Sequence, residues 1–168
     1  MVAAIQCDFE SSDFCELSVD GRPHFNFTVK QGEEFASPDD GPQTDDEANP
    51  KGHFAYIKST TDSEEGASSI METDMINAED HMLECFEFSV ALKKEGGVRS
   101  ISVYQQSQEQ EDHHGDIELL WFFTSEMAAN SDWFIGRTEV HAHYYDDIPQ
   151  NYTVRPAASC LSLTACRS

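Results

Sequence analysis

The run Leu83–Leu92 alternates cleanly, with Phe86, Phe88, Val90 and Leu92 on one face and Glu87 and Ser89 on the other. A period of two with one apolar face predicts a core strand whose opposite face is wet. The same pattern predicts strands at Phe25–Val29, at His53–Lys58 with Phe54 and Tyr56 on one face, and at Ala67–Glu72. It also predicts Arg99–Gln105 with Ile101 and Val103 inward, Asp132–Val140 and Asn151–Pro156, and Cys7–Glu10 reads as a short strand-like start. Ile117–Thr124 has no polar gap after Glu118, which predicts a strand covered on both faces. Turns fall at Gly41-Pro42, at Asn49-Pro50 with Gly52, and at Lys94–Gly97, while Gln31–Asp40, Thr60–Gly66 and Gln106–Asp116 read as polar loops. No segment sustains a helical period, and Met71–Leu83 is the one weak helix candidate. About nine short strands with turn signals roughly every 8–12 residues predict an all-β sandwich, not an α/β fold.

Length and charge narrow the picture. A chain of 168 residues makes one domain, large enough to bury a core without cross-links. Its formal net charge is −22, and 15 of the 32 carboxylates lie between Glu33 and Glu84. So acidic a surface repels phosphate backbones and anionic lipid, which makes nucleic acid and anionic membrane poor partners and predicts no nucleic acid and no direct membrane insertion. It suits a solvated, soluble face, or cation binding and the steering of a basic partner. No apolar run approaches the ~18 residues of a transmembrane helix. Met1–Gln6 lacks the basic start and apolar region of a secretory leader, so either a leader is missing and Met1–Gln6 is its remnant, or the chain is cytosolic.

The cysteines favour an exported chain. Cys7 and Cys15 form a close pair, Cys85, Cys160 and Cys166 are distant, and no zinc spacing fits the five. A bridge closing the loop between Cys7 and Cys15 would constrain about nine residues and contribute about 2–3 kcal/mol in the chain-entropy model. Two glycosylation acceptors occur, Asn26-Phe-Thr28 and Asn151-Tyr-Thr153. In each, Asn and Thr share a face opposite the apolar residues (Phe25, Phe27 and Val29; Tyr152 and Val154), so both acceptors are expected to face solvent.

A set of motifs in fixed order resembles the MAM domain, the extracellular module of meprins, neuropilins and receptor-type tyrosine phosphatases. Gly41-Pro42, Asp45 and Gly52-His53-Phe54 resemble the family's Gly-Pro, spacer, Asp, then Gly-His-aromatic leading into a strand. Cys7-Asp8-Phe9-Glu10 resembles its opening, Cys15-Glu16-Leu17 its second cysteine, and His24–Phe27 its aromatic-rich second strand. Cys85-Phe86-Glu87-Phe88, Val103-Tyr104, Leu119-Leu120-Trp121 and Ser131-Asp132-Trp133 with Val140 resemble its later strands. The likeness covers about residues 7–155. It implies an antiparallel jelly-roll β-sandwich of two packed sheets over 7–157, without catalytic activity, in a secreted protein or the ectodomain of a membrane protein. The implied role is adhesion or another protein–protein contact, homophilic contact included.

The resemblance also implies site residues. It pairs Cys7 with Cys15, and Cys85 with Cys160 or Cys166, and allows a structural calcium site at Asp8, Glu10 and Asp45. The chain departs from the family at Leu17-Ser18, where a Trp often stands, and after Arg155, where a Gly-rich turn and final strand are usual. Residues 158–168 are therefore read as a divergent tail, a truncated or alternatively spliced end that would leave a sheet edge and a strip of core uncovered. Asp146-Asp147-Ile148 resembles the family's ending but comes before the strand that should precede it.

Other chemistry is sparse. His141-Ala-His143 with Asp146 and Asp147 places two imidazoles on one strand face, a spacing that suits a transition metal and is similar to the first motif of the cupins. The alternative function is thus a cupin-like metalloenzyme using His141 and His143, although the later Gly-rich histidine motif of cupins has no counterpart. Asp112-His113-His114 lies in a polar loop where neighbouring side chains point apart. Glycan binding would require an exposed aromatic platform, whereas Trp121 and Trp133 sit in apolar strands that predict core positions.

Overall fold

The computed structural model describes residues 7–21, 25–38, 40–58, 66–80, 83–92, 100–108, 115–127 and 133–159. Among them run eleven strands: β1 (Ser18–Gly21), β2 (Thr28–Gln31), β3 (His53–Tyr56), β4 (Ser68–Glu72), β5 (Leu83–Val90), β6 (Ser100–Ser107), β7 (Ile117–Thr124), β8 (Phe134–His141), β9 (Tyr144–Tyr145), β10 (Ile148–Pro149) and β11 (Tyr152–Ser159). Five form one antiparallel sheet in the order β1-β4-β11-β6-β7. β5 pairs with β8, β2 with β3, and β9 with β10.

The apolar alternation explains the layering. Val103 of β6 and Val154 of β11 point off the large sheet into a cluster with Val140 of β8, to which Phe86 and Phe88 of β5 add their rings. A second cluster joins Phe123 and Ala158 of the large sheet to Phe25, Phe27 and Leu92, with Ala55 of β3 and Ile57 packed against it. Burying a ring such as Phe25, which is fully inaccessible, contributes about 1.5–3 kcal/mol relative to leaving it in water. The result is an antiparallel jelly-roll β-sandwich.

The aromatic face of β3 is covered from outside. Phe35 lies 6.1 Å from Phe54 and 4.9 Å from Tyr56 between ring centroids, and Trp133 meets Phe54 edge-on at 5.5 Å. Trp133 donates its Nε1–H to the carbonyl of Thr44 at 3.0 Å, and Ser89 of β5 hydrogen-bonds Asp46. The acidic loop before β3 is thereby pinned to β5 and to the start of β8.

Several expectations change. Cys7–Glu10 forms no strand, because Phe9, Ser12 and Cys15 take positive φ in a tight double turn. Asp8 and Asp13 accept the backbone N–H of Glu10 and Cys15 there. Met71–Leu83 contains no helix among the described residues: it holds the end of β4 and an isolated bridge from Ile76 to Tyr152. β11 sits between β4 and β6 and runs past residue 157 to Ser159, with Ala158 fully buried, while residues 160–168 lie outside the described ones. Ile117–Thr124 forms a strand over the expected bounds but is not covered on both faces; β7 is the edge of the large sheet, with Ile117, Leu119 and Phe122 exposed.

Candidate functional site

Cys7 and Cys15 are bridged, with Cα atoms 5.8 Å apart. The bridged turn docks on β3 through Glu10, whose carboxylate accepts the backbone N–H of His53 at 2.9 Å and lies 3.2 Å from its Nδ1. These bonds, the backbone one first, hold the Glu10 carboxyl below its ordinary range. Asp45 accepts the N–H groups of Glu47 and Asn49 at 3.0 and 2.7 Å and is almost fully buried. Asp8, Glu10 and Asp45 do not converge: the three carboxylates are engaged separately with backbone donors and form no shared ligand group. As placed, they do not fit one calcium cage, which needs several oxygens around a single point.

Cys85 stands exposed on β5 across from Glu139 and has no disulfide partner among the described residues, while Cys160 and Cys166 lie outside them. Asn26 and Thr28 are exposed, as expected of an acceptor, and the Asn26 Oδ1 accepts from Ser69 at 2.8 Å. The second acceptor differs. Asn151 is half-buried, its Oδ1 accepting from Ala78 N and its Nδ2 donating to Gln108, and Thr153 is buried, because the chain from Thr73 to Ile76 runs alongside β11.

At one end of the sandwich, Glu118, His141 and His143 each offer a ligand atom, all within 4.8 Å of one another. His143 Nε2 is 2.8 Å from Glu118 Oε2, and the two imidazoles lie 5.7 Å apart between centroids. Asp146 and Asp147 do not join them. Both have positive φ, 49° and 63°, and form the two-residue turn between β9 and β10. Glu118 was not singled out in the sequence, since it lies 23 positions from His141 and on the other layer. Asp112-His113-His114 falls outside the described residues.

The outer face of β6 and β7 is the other distinctive surface. Its rungs are Gln106–Ile117, Tyr104–Leu119 and Ser102–Phe122, so no charged side chain points outward from either strand. Ile117, Leu119 and Phe122 are 65%, 50% and 53% exposed. A β-bulge between the Val103 and Tyr104 rungs makes this possible: it puts Leu120 and Trp121 consecutively inward, where both pack on the core, and leaves Leu119 and Phe122 outward.

The family model for the MAM domain, described as meprin/A5/mu, matches residues 7–147. The chain belongs to the MAM family. The matched order explains itself physically in this MAM domain: Asp45 closes the loop, Gly52 makes room for its carboxylate, and His53 receives the N-terminal turn through Glu10. None of the curated proteins matches the chain. Among solved structures, one from work on the promiscuous specificity of carbohydrate-binding modules of the β-sandwich superfamily is similar, with a TM-score of 0.60 and 11% identity. The match covers 92% of this MAM domain and 54% of that chain, and it shows the shared fold alone. Trp121 faces the core, and among the described residues no ring lines the groove of about 310 Å3 between Glu72, Met75, Gln106 and Arg155.

Proposed function

We propose that this MAM domain is a non-catalytic recognition module of a larger extracellular protein, whether receptor, adhesion protein or secreted protease, and that it contacts a protein partner through the outer face of β6–β7. The observation that carries this is a pair of strands that point no charged side chain outward and bear three exposed apolar ones, on a chain of net charge −22. Interface cores are depleted of charge and enriched in aromatics, and contiguous exposed apolar patches are uncommon on monomers without such a role. A second copy is the simplest partner, since Leu119 and Phe122 can face their own copies across a two-fold axis.

Export fits the Cys7–Cys15 bridge. In this reading Asn26 and Asn151 are the glycosylation acceptors, and the engaged amide of Asn151 makes Asn26 the better used. Cys85 pairs with Cys160 or Cys166, a choice that mass spectrometry of non-reduced peptides reads directly.

The test compares wild type with Leu119→Lys/Phe122→Lys by sedimentation and by binding of the multimerised domain to cell surfaces. Self-association or cell binding should be present in wild type and lost in the variant while the melting temperature changes little. Equal behaviour of the two proteins in both assays would overturn the reading.

A further inference from the structure

We propose that Glu118, His141 and His143 form a binding site for a divalent transition ion of the Zn2+ class, tying the edge of the large sheet to the opposite layer. The inference is independent of the recognition surface, which lies on the other face of β7. Glu118 comes from β7 and the two histidines from the end of β8 and the residue pair beyond it. Between the histidines Ala142 is buried in the core, so the i, i+2 spacing turns both imidazoles to the same side.

The donor set selects the ion. Two imidazoles and one carboxylate suit zinc, copper or nickel and are poor for calcium, which takes oxygen ligands. In a tetrahedral zinc shell, bonds of about 2.0–2.2 Å place ligand atoms roughly 3.3 Å apart. His143 Nε2 and Glu118 Oε2, at 2.8 Å, are already closer than that, and the 4.8 Å bound on the group leaves only a side-chain rotation to complete it. Three protein ligands leave a fourth position for water.

Second, the frame is built. Gln105, fully buried and on the same rung as Glu118, donates its Nε2–H to the carbonyl of His141, and Gln150 N–H donates to the carbonyl of His143 at 2.7 Å. The backbone of both histidines is thus held in place. Gln105 Oε1 has no partner among the described residues, a buried acceptor beside the site that an ion-bound water would supply with a donor. The acidic surface raises the local concentration of any cation.

The experiment uses the untagged chain in equilibrium dialysis against zinc, with elemental analysis, and Co2+ as a visible-absorbing stand-in. Wild type should hold about one ion per chain, keep it with His113→Ala/His114→Ala, and lose it with His141→Ala and with His143→Ala. Glu118→Gln should weaken binding at least about tenfold, the scale on which a site loses affinity when one anchoring group is removed. Because the ion binds the folded state, melting temperature should rise by roughly 5–10 °C at a hundredfold excess over Kd in wild type and in His113→Ala/His114→Ala, and stay unchanged at that zinc concentration in His141→Ala and His143→Ala. The His141 ring is exposed, so its replacement leaves the core intact, and circular dichroism verifies this. No stoichiometric zinc in wild type, or full retention in both histidine variants, would overturn the proposal.

Discussion

A Cβ added to Gly52 would overlap Oδ2 of Asp45. The overlap cannot be relieved cheaply, because Oδ1 of the same carboxylate is held by the backbone N–H groups of Glu47 and Asn49. Gly52→Ala should therefore destabilise the domain by about 1–3 kcal/mol, the usual range for overpacking. Asp45→Ala should cost about 1.5–3 kcal/mol through its charge-assisted bonds. In the double variant the clash has gone, so the two costs should sum to clearly more than the measured total. Urea denaturation of the four proteins checks this, and strict additivity would mean that the two residues do not act on each other.

Glu10 and His53 give a prediction in pH. The Glu10 carboxyl is held below its ordinary value of 4.5, first by the His53 backbone N–H and then by its side chain. A depressed carboxyl contributes stability above its ordinary value and loses it as pH falls through the depressed one. Wild type should accordingly be more stable than Glu10→Gln at neutral pH, with the difference shrinking steadily below about pH 4.5. Melting curves from pH 7 to pH 3 measure it. A difference that stays constant over that range would show that Glu10 acts by shape alone.

Much of the fold was legible because the strands have one apolar face. Leu83–Val90 lies where alternation placed it, Ile117–Thr124 is the strand that its continuous apolar run predicted, and Val103 and Phe88 face the core as predicted. The misses are physical. Ser18–Gly21 has a single apolar residue and is a strand only because β4 pairs with it, while β9 and β10 have two residues each, too short for any period to show. The run Leu119–Phe123 reads as doubly covered because a bulge shifts its phase, and bulges leave no mark in hydropathy. His141 and His143 were visible as a pair, but Glu118 reaches them only through the packing of β7 on β8, a contact between layers that spacing along the chain does not encode.

Calcium offers a separate check. Since Asp8, Glu10 and Asp45 are engaged by different backbone donors, calcium should raise the melting temperature no more than sodium chloride of matched ionic strength, which screens the clustered acids equally well. A calcium-specific rise that disappears with Asp45→Ala would show that these carboxylates rearrange around an ion.

The central claim is that the outer face of β7 is the contact surface, and hydroxyl-radical footprinting of the associated protein tests it most directly. In the free domain Leu119 and Phe122 should be oxidised readily, in keeping with side chains that are about half exposed. On association, with a second copy or with the cell-surface partner, their labelling should fall several-fold, together with that of Tyr104, while Ile135 on the opposite layer stays unchanged. Protection at Ile135 with Leu119 and Phe122 still fully labelled would place the contact elsewhere and contradict the account.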